Sequence, residues 1–173
     1  MQNLFSGLIK ASRRSLYFPF SMGHFANDFV PCSVVVLAPA IALEMGLNPM
    51  EVGLLLTLHS LGSALGYFPS GLMADSVRNR GNLLMLTFWW VGLGYLLASF
   101  APGFWSLALL FALAGCGDAA WHPLATAILV QADPQNRGQA LGLHAIGGTL
   151  SAVIGPVIVG FLLVSMDWRE TLH

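Results

Sequence analysis

The stretch that decides the fold is LYFPFSMGHFANDFVPCSVVVLAPAIAL, which covers residues 16–43. It is mainly apolar, and a helix of about 20 such residues crosses the hydrocarbon core of a bilayer. The stretch is too long for the apolar segment of a cleaved signal peptide, and it contains His24, Asn27 and Asp28. It therefore predicts a membrane-spanning helix near the start of the chain.

Four further apolar stretches follow the first one. They predict spans at residues 52–74, 83–100, 104–130 and 140–166, joined by short connections rich in turn formers. Only 9% of the 173 residues are charged, against about 25% in a typical soluble domain, so lipid must cover much of the surface. Because short connections make neighbouring helices antiparallel, we predict an all-α integral membrane protein, a polytopic helical bundle with five complete transmembrane helices.

The basic residues indicate which side of the membrane each connection faces. They gather before the first span and after the second and fourth spans, and loops rich in Lys and Arg face the cytoplasm. These residues are Lys10, Arg13, Arg14, Arg78, Arg80 and Arg137. We therefore expect residues 1–15 to form a cytoplasmic N-terminal segment of a protein in the bacterial inner membrane. Nucleic-acid binding is not expected, since the basic residues are scattered.

The end of the chain carries charges and an aromatic side chain suited to the membrane interface, in the segment Asp167–Glu170. An odd number of spans followed by such a segment predicts that a sixth helix begins near residue 168. We therefore expect residues 16–173 to be the N-terminal transmembrane bundle of a longer protein.

Two spans carry ionisable side chains at depths where they are costly. An Asp at the centre of a spanning helix costs about 2.5–3.5 kcal/mol on insertion scales, so such groups face a cavity or a partner. Each of these spans places a carboxylate and an imidazole one turn apart on one face. The residues are His24, Asn27 and Asp28 in the first span, and Asp118, Trp121 and His122 in the fourth.

A carboxylate beside an imidazole in a medium of low dielectric can exchange protons under a physiological gradient. Burial favours the neutral carboxyl group, and imidazole changes its charge near neutral pH. We interpret Asp28 and Asp118 as candidates for proton coupling, with His24 and His122 tuning or sharing the proton. The alternative is a hydrogen-bond network between helices that only fixes their packing.

Other residues give weaker patterns. His59 and His144, in the second and fifth spans, are interpreted as packing residues bonded to a neighbouring helix. Asp118 and His122 have a spacing that fits one metal ion, but two ligands do not make a site, so neither a metal nor another cofactor is expected. No nucleophile constellation or phosphate-binding glycine loop occurs, and an enzyme is not expected.

The connection after the second span resembles the signature of a known family. Residues 71–80 read GLMADSVRNR, which is similar to the Gly-x-Leu-Ala-Asp-Arg-x-Gly-Arg-Lys pattern of the major facilitator superfamily (MFS). Gly71, Ala74, Asp75 and Arg80 agree with the pattern, whereas Arg78 supplies a displaced basic charge. The resemblance implies a cytoplasmic gate loop at these residues, in which Asp75 pairs with helix ends and basic groups.

The fifth span contains a glycine pattern that is similar to an antiporter motif of the same superfamily. Its residues are Gly147, Gly148, Gly155, Pro156 and Gly160, and small residues at these spacings let another helix approach closely. The stretches 24–28 and 115–123 are similar to the fosmidomycin-resistance branch of proton-driven exporters. The resemblance implies two six-helix halves built from inverted repeats, with the first and fourth helices lining a central cavity.

The resemblance implies that the chain is the N-terminal half of such a transporter, with the C-terminal half missing. The predicted function is secondary active transport of a small molecule by alternating access, as a proton-coupled exporter. One alternative is a proton symporter that imports a sugar, nucleoside or organic acid, on which Trp89 and Trp121 would stack. Another is a non-transporting membrane sensor or scaffold. The expected partners are a small-molecule substrate, protons, the lipid bilayer and the missing half.

Overall fold

A computed structural model describes residues 15–173, and this part of the chain forms five long helices and one short helix. They are α1 (Tyr17–Met45), α2 (Pro49–Ser76), α3 (Arg80–Ala98), α4 (Phe104–Ala132), α5 (Arg137–Leu162) and α6 (Trp168–Thr171). The five long helices are long and apolar enough to cross a membrane, and residues 15–173 contain no strand. The predicted all-α polytopic bundle is thus confirmed. The segment 1–15, with Lys10, Arg13 and Arg14, lies outside the described residues except for Ser15.

Capping residues and turns move the helix boundaries a few residues from their predicted positions. α2 begins at Pro49 rather than at residue 52, because Asn48 Oδ1 accepts from the backbone N–H of Glu51 at 3.0 Å and Glu51 Oε2 accepts from that of Asn48 at 2.8 Å. α3 and α5 end two and four residues earlier than predicted, at Ala98 and Leu162. Hydropathy does not distinguish the end of a helix from an apolar turn that follows it.

α4 is the central helix, and both α2 and α3 pack along it. Gly62 of α2 lies directly against the backbone of Ala112, so that a side chain at this position would meet main-chain atoms. On the other side, a Cβ atom at Gly94 of α3 would lie 2.9 Å from the Cβ of Ala114. Glycines at these positions let the helices approach closely, which is how helices gain packing energy in lipid.

α1 and α5 form the second extensive helix pair. Gly147 of α5 lies against the carbonyl group of Ser21, and a Cβ atom at Gly155 would lie 2.8 Å from Ser33 Oγ. Gly160 makes only an ordinary contact, since its Cβ would lie 3.7 Å from the side chain of Val36. The contact between α1 and α4 is shorter, and it contains the polar side chains described below.

Arg169 connects three parts of the bundle at the end where α1 finishes. Its Nε donates to Glu44 Oε1 at 2.9 Å, and its Nη1 donates to the carbonyl oxygens of Ser99 and Ala101 at 2.6 and 3.0 Å. The guanidinium carbon lies 4.3 Å from the ring centroid of Trp168. These bonds position the start of α6 against the connection between α3 and α4.

Candidate functional site

The polar side chains of α1 and α4 meet in one cluster, with Asn27 at its centre. Asn27 Nδ2 donates to Asp118 Oδ1 at 2.6 Å and to Asp28 Oδ1 at 3.1 Å. Asn27 is only 2% exposed, whereas the side chains of Asp28 and Asp118 are 16% and 13% exposed. One buried amide therefore holds two partly accessible carboxylates from different helices side by side.

Two imidazoles complete the cluster around Asp28. His24 Nε2 lies 3.2 Å from Asp28 Oδ2, and His122 Nε2 lies 3.6 Å from Asp28 Oδ1. His122 Nε2 is also 3.9 Å from Asp118 Oδ1, one turn away on α4. The structure thus brings together the four ionisable residues that the sequence singled out, and Asp28 contacts both imidazoles.

A backbone carbonyl of α5 fixes the orientation of the His24 ring. His24 Nδ1 lies 2.8 Å from the carbonyl oxygen of His144, and because a carbonyl oxygen only accepts, this nitrogen carries a proton. The opposite nitrogen, Nε2, therefore faces Asp28. The His144 ring stacks on the His24 ring with their centroids 4.2 Å apart, and its own Nδ1 lies 3.3 Å from the carbonyl oxygen of Phe20.

The glycine pattern of α5 makes room for the His24 side chain. A Cβ atom at Gly148 would lie 2.5 Å from His24 Nε2, and one at Gly147 would lie 3.1 Å from His24 Cβ. Either side chain would displace the imidazole from its position beside Asp28. The small residues predicted for helix packing therefore also shape the polar cluster.

Trp121 lies beneath the cluster instead of facing a solute. It is 1% exposed, and its ring centroid lies 5.6 Å from that of His24 and 5.4 Å from that of His144. Buried in this way, Trp121 is not available to stack on a substrate in this conformation, which corrects the role given to it in the import alternative. Trp89 is 65% exposed.

The two histidines that the sequence assigned to packing have different surroundings. His59 lies apart from the cluster, and its Nε2 is 2.6 Å from the hydroxyl oxygen of Tyr95. His144 stands within the cluster through its ring and its carbonyl group, a role that sequence reasoning missed. The sequence does show that His144 lies one turn before Gly147 and Gly148, on the helix face that packs closely against α1.

Arg80 makes side-chain contacts at the loop between α2 and α3. Arg80 donates from Nε to the carbonyl oxygen of Ala74 and from Nη1 to Gln131 Oε1, so it connects the end of α2 to α4. Asp75 is exposed, and it takes part in none of the ion pairs among residues 15–173. Arg78 is also exposed, and a Cβ atom at Gly71 would meet open space.

The fold and the cluster together define a class, polytopic α-helical membrane proteins with ionisable groups placed between spanning helices. Within that class, the model of the Major Facilitator Superfamily matches residues 17–172. The chain belongs to this superfamily, as its loop signature and fifth-helix glycines predicted. It is therefore an integral membrane protein of a transporter family.

Several bacterial proteins are similar to the chain. It is 30% identical over 138 residues to a probable 4-methylmuconolactone transporter of Cupriavidus pinatubonensis, covering 77% of this chain and 32% of that protein. It is 30% identical over 158 residues to a probable sugar efflux transporter of Helicobacter pylori, covering 89% and 39%. It is 24% identical over 144 residues to the fosmidomycin resistance protein of Escherichia coli, covering 83% and 35%. The chain thus spans between 32% and 39% of the length of these relatives.

Proposed function

We propose that the protein acts in proton-coupled export of a small molecule, as part of a secondary active transporter that works by alternating access. The observation that carries the proposal is the cluster in which Asp28 and Asp118 share the amide of Asn27 between α1 and α4. Membership of the superfamily supports transport in general. No catalytic role is proposed.

Proton coupling would act through the charge on the two neighbouring carboxylates. When both are ionised they repel each other in a medium of low dielectric, and a proton on either one removes that repulsion. The contact between α1 and α4 would then differ in stability between the two protonation states, and proton entry would shift the balance between conformations. The ionisable groups around the pair are His24, Cys32, Tyr67, Tyr95, His122 and His144.

The names of the relatives support export of an organic solute. One group is named for sugar efflux, and another relative is named for fosmidomycin resistance. A third is named as a transporter of 4-methylmuconolactone. We propose a small, oxygen-rich organic molecule as the substrate class, because such a solute offers hydrogen-bond acceptors and donors to a polar cluster.

The bias of basic residues supports a cytoplasmic N-terminus in a bacterial inner membrane. In that orientation the loop with Gly71, Asp75, Arg78 and Arg80 lies on the cytoplasmic side, where we propose that it gates access. We also propose that the working transporter contains a second helical bundle. The relatives are more than twice as long as the matched region, and the cluster is only partly enclosed by α1 to α5.

The proposal is tested with the natural full-length protein reconstituted in proteoliposomes, using the variant Asp118→Asn. This variant keeps a polar side chain of similar size but cannot carry the charge. We expect gradient-driven transport to be abolished, whereas exchange of substrate across the membrane without a gradient continues. The matched variant Asp118→Glu keeps a titratable carboxyl group and should retain part of the gradient-driven flux.

Each alternative has its own outcome in this assay. Wild-type gradient-driven transport by Asp118→Asn would contradict proton coupling at this residue. Accumulation of solute in the direction of proton entry would support the import alternative with a sugar, nucleoside or organic acid. A deletion phenotype in cells with no flux of any tested solute would favour a membrane sensor or scaffold.

A further inference from the structure

Three side chains of the cluster aim metal-ligating atoms at one point. One ring nitrogen each of His24 and His122 and one carboxylate oxygen of Asp28 all lie within 4.8 Å of one another. Each imidazole also lies close to one oxygen of Asp28, His24 Nε2 at 3.2 Å from Oδ2 and His122 Nε2 at 3.6 Å from Oδ1. The ligands come from two helices, α1 and α4, so a bound ion would bridge them.

These distances fit a small divalent ion in tetrahedral coordination. Bonds of about 2.0–2.2 Å from zinc to histidine nitrogen or carboxylate oxygen place neighbouring ligand atoms about 3.3–3.6 Å apart. The two contacts to Asp28 already have nearly this length. Rotation of the His122 ring, whose side chain is 19% exposed, would bring its nitrogen closer to that of His24.

Neighbouring groups orient the ligands as they do in established metal sites. A histidine ligand commonly donates from its other ring nitrogen to a carboxylate or a backbone carbonyl, which fixes the ring and aims the free lone pair. His24 has this arrangement, because its Nδ1 donates to the carbonyl oxygen of His144. Asp28 is oriented by the amide of Asn27. Two of the three ligands are thus positioned before any ion binds.

Access and charge also favour an ion at this point. The three side chains are between 14% and 19% exposed, which leaves a fourth coordination position open to water or a solute. Asp118 is held by Asn27 at 2.6 Å and stands outside the three ligands. As carboxylates, Asp28 and Asp118 together balance the charge of one divalent cation, and buried charges require such pairing.

We propose that His24, Asp28 and His122 bind a divalent transition-metal ion of the zinc, cobalt and nickel type. Two imidazole nitrogens and one carboxylate oxygen suit these ions, whereas magnesium and calcium prefer sites made of oxygen ligands. At the sequence level the pair Asp118 and His122 offers two ligands, from which no metal is expected, whereas the proposed site has three ligands from two helices. The site does not depend on proton coupling.

Cobalt(II) is the probe for this site, because its visible absorption reports tetrahedral coordination. The natural full-length protein is prepared without an affinity tag and freed of metal with a chelator. We expect one Co²⁺ per chain with the absorption bands of a tetrahedral site, displaced by Zn²⁺ but not by a large excess of Mg²⁺. His24→Gln and His122→Gln should each weaken binding by at least about ten-fold. The control His59→Gln removes a histidine outside the cluster and should bind as the wild type does.

The absence of visible bands and of stoichiometric binding in the wild type would overturn the proposal. Equal weakening in His59→Gln and the two ligand variants would overturn it as well. If a ligand variant does not fold, the proposal is tested by the midpoint of thermal unfolding of the wild type, measured with each ion. A higher midpoint with Zn²⁺ than with Mg²⁺ supports the site, and equal midpoints contradict it. Because the readouts are binding and stability, this result is separate from the transport assay.

Discussion

The helix pair α1 and α5 and the helix pair α2 and α4 pack in the same way, but their histidines have different surroundings. In each pair a glycine lies against a backbone carbonyl, Gly147 against Ser21 and Gly62 against Ala112. Each pair also carries a histidine whose ring bonds to a neighbouring helix. His24 reaches the carbonyl of His144 on α5, and His59 reaches the hydroxyl group of Tyr95 on α3.

The difference lies in what stands on the other side of each imidazole. The free nitrogen of His24 faces Asp28, and this side of the ring is partly accessible. The ring of His59 packs edge-on against Phe111, with ring centroids 6.1 Å apart, and it takes part in none of the ion pairs within residues 15–173. A histidine between membrane helices thus becomes a candidate functional group where a carboxylate lies beside it. Three substitutions test this comparison.

The largest effect is expected from Gly62→Ala, which should separate α2 from α4. The added methyl group meets the backbone of Ala112, which cannot move aside as a side chain can. We expect the free energy of unfolding to fall by about 3 kcal/mol, the upper part of the range for overpacking. Unfolding of the purified protein by denaturant in mixed micelles measures this change.

The control for that substitution lies in the same helix. Gly53→Ala adds a methyl group where nothing lies within 4 Å, so it should be neutral or raise stability by up to about 1 kcal/mol through helix propensity. Similar losses in both variants would show that the close approach of α2 to Ala112 is not what holds the pair together.

An intermediate effect, on transport more than on stability, is expected from Gly148→Ala. Its methyl group meets the imidazole of His24, a side chain that can rotate away from Asp28. Loss of one hydrogen bond to a charged group is worth about 1.5 kcal/mol, which corresponds to about a ten-fold lower transport rate. The initial rate of gradient-driven flux in proteoliposomes measures it.

Gly142→Ala is the matched control on α5, because no atom lies within 4 Å of its added methyl group. It should transport at the wild-type rate. A Gly148→Ala variant with the same rate as Gly142→Ala would show that the position of the His24 ring does not matter for transport.

The smallest effect is expected from His59→Gln, which should lower stability without changing transport. The variant weakens the bond to the buried hydroxyl of Tyr95, and bonds between membrane helices are worth about 1 kcal/mol. The double variant with Tyr95→Phe should lose little more, since the unpaired hydroxyl group is removed. If His59→Gln transported as slowly as a His24→Gln variant, the two histidines would not differ in function as proposed.

Much of the fold and half of the site were accessible from the sequence, for identifiable reasons. Length and hydropathy of each apolar run predicted five spans, because the thickness of the bilayer sets the length of a spanning helix. The cost of an ionisable group in lipid singled out Asp28 and Asp118. The role of His144, the burial of Trp121 and the bonds of Arg80 were not predicted, since each depends on which side chain a neighbouring helix presents.

The sequence by itself determined the membrane environment, the number of spans, the superfamily and the two polar helix faces. These follow from local composition, from helical periodicity and from short motifs, all of which are contained in single stretches of the chain. Only the tertiary structure decided which residues meet. The approach of α1 to α4 and α5 placed His24, Asp28 and His122 within reach of one ion, from stretches far apart in the chain. Such contacts depend on how close two helices come, and the fit of glycines against neighbouring backbones sets that distance.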